Sequence, residues 1–170
     1  MIMSVTANDR KAIANATASA RARIAALLDE GSFLEVGTFV ARRPTEFDLT
    51  SPGAPAEGVV TGWGTVDGAP VCVFAQDAAA LGGAMSEMQA KKITILYEYA
   101  LKTGVPIVGI FDSKGVRLAE GVDALNGYAS VIAAARAASG VVPQIAIIAG
   151  GCGGAAALFA SQFDFRIALD

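Results

Sequence analysis

Two stretches of the chain gather residues that could do chemistry through the backbone. The first reads Asp112-Ser113-Lys114-Gly115-Val116-Arg117-Leu118-Ala119-Glu120-Gly121, the second Gly150-Gly151-Cys152-Gly153-Gly154-Ala155. Each follows an apolar run that reads as a strand and leads into a segment that reads as a helix. Glycine lets the backbone come close to a ligand, and the first amides of a helix have no partner inside it. Amides so placed stabilise an anion or a developing oxyanion. Close packing alone produces the same pattern, so spacing leaves both meanings open. The second stretch also fits a dinucleotide fingerprint: Gly151-x-Gly153-x-x-Ala156 after a strand, with Asp170 nineteen residues beyond Gly151. Against an NAD-binding module, such a motif normally lies in the first βαβ unit, and here it comes last.

Side chains offer less. Glu120 and Asp123 could form a general acid and base of the kind a hydratase or isomerase needs. They equally suit the start of a helix, where acids favour the dipole. Cys152 stands where a nucleophile could, but the chain contains no histidine to activate it, so a small packing residue is the simpler reading. The lack of histidine also removes Ser-His-Asp and Cys-His arrangements and most zinc sites; no metal is expected. Trp63, flanked by glycines, reads as strand packing.

The elements that must carry these loops follow from pattern. Residues 8–29 are alanine-rich and predict a helix stopped by Gly31; Phe33–Val40 suggests a short strand, and 41–57, with Pro44, Pro52, Gly53 and Pro55, an irregular connection. GVVTGWGTV and APVCVFAQ flank Asp67-Gly68, a strong hairpin signal because type I′ turns need positive φ at both central residues. Residues 85–103 predict a helix ended by Gly104. Val105–Phe111 is continuously apolar, as in a strand covered on both faces. Asp112–Gly121 reads as a polar loop, 122–139 as a helix, Gln144–Ala149 as a buried strand, GGCGG as a loop, 154–162 as a short helix and FRIAL as a last strand. A hairpin followed by βαβαβ units predicts a layered α/β fold without internal repeats. Both glycine loops then fall at the C-terminal ends of parallel strands, where open α/β sheets place ligands.

Composition narrows the classes. Hydrophobic residues make up 54% and charged residues 17%, which excludes disorder. A net charge of −3 argues against nucleic acid. Two cysteines are too few for a disulfide framework, and no signal peptide is evident, so the cytoplasm is expected. Ala137–Phe163 is uncharged and long enough to cross a bilayer. Its Pro143, Gln144 and five glycines read better as strand, loop and helix.

At the two loops the chain resembles a family. GVVTGWGTVDGAPVCVFAQDAAALGGAMSEMQAKKI, PIVGIFDSKGVRLAEGVDALNGYA and SGVVPQIAIIAGGCGGAAALFASQFDF, in that order, resemble the carboxyltransferase component of biotin-dependent acyl-CoA carboxylases and decarboxylases. Propionyl-CoA carboxylase β chains and the carboxyltransferase subunits of glutaconyl-CoA, methylmalonyl-CoA and malonate decarboxylases belong to it. The likeness runs from about Ala22 to the end. It implies a crotonase-like fold that binds an acyl-CoA thioester and holds its enolate with paired amides. One donor would be Val116, with Gly115 beside it; the other Gly154, with Gly153 beside it. Biotin, carried on a partner protein, would exchange the carboxyl group, so no side-chain base is required. Gly82-Gly83 is similar to the family's Phe-Gly-Gly-Ser segment near substrate and would also serve as an ordinary turn.

The family's first loop usually reads Asp-Ser-Gly-Gly-Ala-Arg, and here Lys114 and Val116 replace its first Gly and its Ala. Val-Arg-Leu resembles the malonate decarboxylase type. Lys114 has reach for a CoA phosphate and the character of a solvated loop lysine. Arg117 is a candidate for substrate contact or for an internal pair that orients the loop. The family's full chain has a second, homologous half that holds carboxybiotin, with active sites shared between subunits. Residues 1–170 are therefore expected to be the N-terminal, acyl-CoA-binding domain of a split enzyme or a fragment, working in a homo- or hetero-oligomer.

Overall fold

The computed structural model describes residues 19–41 and 55–169. They form one six-stranded sheet with helices on both faces. The strands are β1 (Leu34–Val36), β2 (Val59–Val66), β3 (Ala69–Gln76), β4 (Ile107–Ser113), β5 (Gln144–Cys152) and β6 (Phe165–Ala168). They lie in sequence order; β1–β2 and β2–β3 pair antiparallel and the rest parallel. The described helices are α1 (Ala20–Leu27), α2 (Glu87–Thr103), α3 (Val122–Ala138) and α4 (Ala155–Ala160).

Alternation along the strands builds two cores. Cys72 and Phe74 of β3, Ile107 and Phe111 of β4 and Ala146 of β5 face α2, α3 and α4, meeting Ile93, Tyr97, Tyr128, Val131 and Phe159. The intervening Val71, Val73, Val108, Ile110 and Ile147 face α1 through Ile24, Leu27 and Leu28. The apolar runs are thus strands covered on both sides, as their composition predicts. Asp67 and Gly68 both have positive φ, 50° and 76°, and close the β2–β3 hairpin.

Helix α2 starts at Ser86, whose hydroxyl accepts the Gln89 amide at 3.0 Å, and stops at Gly104, whose φ of 74° is left-handed. Tyr97 hydrogen-bonds Gln144 at 2.9 Å across the core, tying α2 to β5. Burial pushes the Tyr97 phenol far up from its ordinary range. Helix α1 ends at Leu27, before the expected Asp29. The chain turns out there because the Asp29 carboxylate accepts the amides of Asp67 and Gly68 at 3.0 and 2.9 Å, bracing the hairpin turn. The part of the expected helix over residues 8–18, and most of the connection 41–57, lie outside the described residues. The first strand is shorter than expected, three residues paired against Thr61–Trp63. Trp63 packs as a strand residue, stacked on Tyr99 with ring centroids 4.6 Å apart.

Two corrections bear on the site. β4 runs on through Asp112 and Ser113, and β5 through Gly150, Gly151 and Cys152, although both segments read as loop. A bulge after Phe111 restores pairing between Ser113 and Cys152. The uncharged stretch Ala137–Phe163 breaks into the end of α3, β5 and α4. Among the described residues no helix is long and apolar enough to cross a membrane.

Candidate functional site

The two candidate loops are tight turns that touch. A methyl group on Gly115 would lie 3.2 Å from the Gly153 carbonyl oxygen. Ser113 joins them: its hydroxyl accepts the Gly115 amide at 3.1 Å, and its carbonyl accepts the Gly153 amide at 3.2 Å. The first turn is also stitched to the segment before α2. Met85 donates its amide to the Gly115 carbonyl at 2.8 Å and accepts the Arg117 amide at 2.9 Å, a one-residue parallel bridge to Val116.

These bonds divide the four glycine-loop candidates. Gly115 and Gly153 use their amides within the structure. The amides of Val116 and Gly154 meet no acceptor among the described residues. Val116 is half-buried and Gly154 exposed, at the start of α4 with φ 56° and ψ −122°. A pair of uncommitted N–H groups on adjoining turns is what a developing oxyanion needs.

Beneath the turns lies a buried ion pair that the sequence did not signal. Arg23 of α1 is 1% exposed and donates from Nη1 to Asp112 Oδ2 at 2.7 Å; Asp112 Oδ1 accepts the Gly151 amide at 3.0 Å. Gly150 makes room for that carboxylate, since a Cβ there would meet Asp112 Oδ1 at 2.4 Å. Gly83 does the same for the backbone: a Cβ there would meet the Asp112 carbonyl oxygen at 2.0 Å. Gly82 and Gly83 therefore pack against the end of β4, with the Lys114 amide donating to the Gly82 carbonyl at 3.0 Å. The Lys114 stem crosses Gly82, and the residue is exposed.

Arg117 forms the internal pair rather than a solvent-facing contact. Its guanidinium is 5% exposed and bonds the Glu57 carboxylate, the Glu120 carboxylate at 3.2 Å and the Glu57 carbonyl at 3.4 Å. Glu57 is fully buried in a tight turn (Pro55–Gly58) where Ala56, Glu57 and Gly58 all have positive φ, 49°, 61° and 75°. That conformation costs roughly 1–2 kcal/mol for each non-glycine residue. Lys92 of α2 offsets it by donating to the carbonyls of Ala56 and Val59, and Gln89 by donating to that of Glu57. Burial lowers the Lys92 ammonium to about 8.

The other candidates lose their chemistry. Glu120 accepts Arg117 with one oxygen and the Glu87 amide with the other at 2.8 Å, bracing the start of α2. Asp123 sits exposed in the first turn of α3. Of the acid–base pair a hydratase would need, Glu120 is thus occupied in structural bonds. Burial pushes the Cys152 thiol up, away from the thiolate a nucleophile needs. Tyr128 places a buried hydroxyl beside Ser113 without completing a hydrogen bond of normal geometry, and burial pushes its phenol up to about 12. The dinucleotide reading fails on backbone: Gly151 lies within β5 with its amide on Asp112, and the Gly153 amide is held by Ser113. Its acidic residue, Asp170, lies outside the described residues.

Comparison with known proteins decides the family. The model of the carboxyl transferase domain matches residues 12–170. The chain belongs to the carboxyl transferase domain family. Among carboxyl transferase relatives, the propionyl-CoA carboxylase beta chain of Saccharopolyspora erythraea is 47% identical over 152 residues, 89% of this chain and 28% of the relative. The methylmalonyl-CoA decarboxylase subunit alpha of Propionigenium modestum is 46% identical over 152 residues, 89% of this chain and 29% of the relative. The transcarboxylase 12S structure with hydrolysed methylmalonyl-coenzyme A, a hexamer, superposes with a TM-score of 0.86 at 46% identity, covering 88% of this chain and 30% of that one. A Pseudomonas malonate decarboxylase hetero-tetramer with malonate gives 0.80 at 29% identity, covering 89% and 58%. The carboxyl transferase chain described here thus spans less than a third of the length of the propionyl-CoA carboxylase and methylmalonyl-CoA decarboxylase relatives. The expected layered, crotonase-like α/β fold is the fold it shares with these structures.

Proposed function

We propose that this chain is the acyl-CoA-binding part of a biotin-dependent carboxyltransferase, moving a carboxyl group between biotin and an acyl-CoA. One observation carries the reading: the amides of Val116 and Gly154 are uncommitted on turns that touch. Directed at a thioester oxygen, they would stabilise the enolate that forms when the α-carbon gains or loses a carboxyl group. Biotin, borne on a separate carrier protein, would supply the carboxyl group and the basic nitrogen. This chain's residues would polarise the thioester and hold its plane. Lys114, exposed beside Val116, has the charge and reach to meet a CoA phosphate. Propionyl-CoA and methylmalonyl-CoA are the first substrates to try, because the relatives' names specify them. A second carboxyltransferase half, in a homo- or hetero-oligomer, would complete the site. The free Cys72 and Cys152 fit a reducing cytoplasm.

The test uses the chain with its second half and a biotinylated carrier, measuring carboxyl transfer to propionyl-CoA. Val116→Pro removes one amide hydrogen that makes no other bond. Proline is unsuited to Gly154, whose φ of 56° it cannot adopt; there the backbone amide is exchanged for an ester with glycolic acid. Each change should lower turnover roughly a hundred- to thousandfold, as loss of one oxyanion donor does. Undiminished turnover in both refutes the reading.

A further inference from the structure

We infer that Glu57 is a positioning residue for the Val116 amide, acting through Arg117; this rests on the thioester-binding reading above. Its motif lies in the connection before β2, far in sequence from either turn. The fold nevertheless buries the carboxylate completely and accepts three consecutive left-handed residues to put it there. Strain of this sort persists only where the surroundings over-determine it, and it gathers at functional sites. The surroundings here are specific. Lys92 and Gln89 hold the carbonyls of Ala56, Glu57 and Val59, so the turn cannot relax. Glu57 then grips Arg117 twice, with its carboxylate and with its carbonyl.

The grip is aimed at one peptide. Arg117 directly follows Val116, and its own amide is fixed to the Met85 carbonyl while Gly115 is fixed to the Met85 amide. With both neighbours of Val116 tied on one side, its N–H is left to the other side. Glu120 adds a second carboxylate to Arg117 and carries the constraint to the start of α2 through the Glu87 amide. Two acids and two bases, Glu57, Glu120, Arg117 and Lys92, balance in charge, so the cluster fixes geometry without placing a net charge beneath the site. One Glu57 oxygen, Oε2, and Arg117 Nε have no hydrogen-bond partner among the described residues.

The experiment compares Glu57→Gln with Val116→Pro in the assembled enzyme. Three quantities are read: kcat and KM for propionyl-CoA, the infrared band of the bound thioester carbonyl in 1-13C-propionyl-CoA, and the folded fraction. The expected result for Glu57→Gln is a kcat lowered roughly ten- to a hundredfold per folded molecule. KM should stay within about twofold, because binding contacts to the rest of CoA are untouched. The carbonyl band should move back toward its frequency in water. If Glu57→Gln does not fold, Arg117→Lys carries the same expectation, since it keeps the charge but loses the fork that reaches Glu57 and Glu120 together. A folded Glu57→Gln enzyme with wild-type kcat and an unmoved band overturns the inference, as does a loss of activity explained wholly by the folded fraction. If Val116→Pro lowers kcat and shifts the band while Glu57→Gln does neither, only the role of Glu57 fails. If Val116→Pro is silent as well, the thioester reading itself has failed.

Discussion

Adding one methyl group at Gly150 should unseat a buried charge. In a strand, alanine for glycine ordinarily gains up to about 1 kcal/mol, because it restricts the unfolded chain. At Gly150 the new Cβ would stand 2.4, 2.5 and 2.7 Å from Oδ1, Cγ and Oδ2 of Asp112. A side-chain carboxylate could swing aside cheaply if it were free. This one is held by Arg23 at 2.7 Å and by the Gly151 amide at 3.0 Å, in a setting where Arg23 is 1% exposed. Breaking a buried pair by displacing one partner costs about 3–5 kcal/mol, so the net effect of Gly150→Ala is a destabilisation of about 2–4 kcal/mol. For a chain of this size that lowers Tm by about 5–15 °C. Thermal and denaturant unfolding would measure it. The cause is isolated by repeating the change in an Asp112→Ala background, where the clash is gone and the added methyl should be neutral or mildly stabilising. A Gly150→Ala chain within 0.5 kcal/mol of wild type would refute the reasoning, and so would an equal cost in both backgrounds; that threshold is the usual limit for a harmless surface substitution.

Other expectations follow from the same contacts. Lys92 releases its proton at about 8 when folded, against 10.5 when exposed. Between those values the unfolded chain binds the extra proton, so rising pH favours folding. Stability of the wild-type chain minus that of Lys92→Met should therefore climb from about pH 8 to 10.5, and a flat difference would disprove the burial of that ammonium. Cys72, raised to about 11 from 9.0 by burial, behaves oppositely. Its contribution is complete below pH 9 and fades as pH rises toward 11, so wild type should lose stability relative to Cys72→Ala across that window. Cys152→Ser should leave carboxyl transfer within about threefold of wild type, because a thiol whose ionisation is suppressed takes no covalent part; a hundredfold loss would restore it as a nucleophile.

The strands and helices that burial dictates were legible from pattern. β3, β4 and β5 show uninterrupted apolar residues because both their faces are covered, and Asp67-Gly68 marks the hairpin because little else tolerates two positive φ angles in succession. The turns bearing Val116 and Gly154 were found from glycine spacing and the family resemblance together. The resemblance named Val116 and Gly154 as the donors; what was not legible is the reason Gly115 and Gly153 are committed, since it depends on Ser113 reaching both. Strand ends were misread where polarity imitates a loop: Asp112-Ser113 and Gly150-Gly151-Cys152 stay paired because the Asp112 carboxylate bonds the neighbouring strand. Arg23 and Glu57 carried no signal at all. An arginine in an alanine-rich helix looks solvated, and a glutamate among prolines and glycines looks like a surface loop. Their partners lie 89 and 60 residues away, beyond the range of any local pattern.

Ser113 has a consequence for how such a domain can change its substrate. Since a single residue clamps the two turns, moving one donor drags the other, and the spacing between them behaves as one rigid gauge. If the two turns hold a thioester as proposed, a different acyl chain would be accommodated only by reshaping the walls around that gauge. Selectivity and carbonyl activation would then be separated in the sequence, with the former free to drift while the latter stays locked.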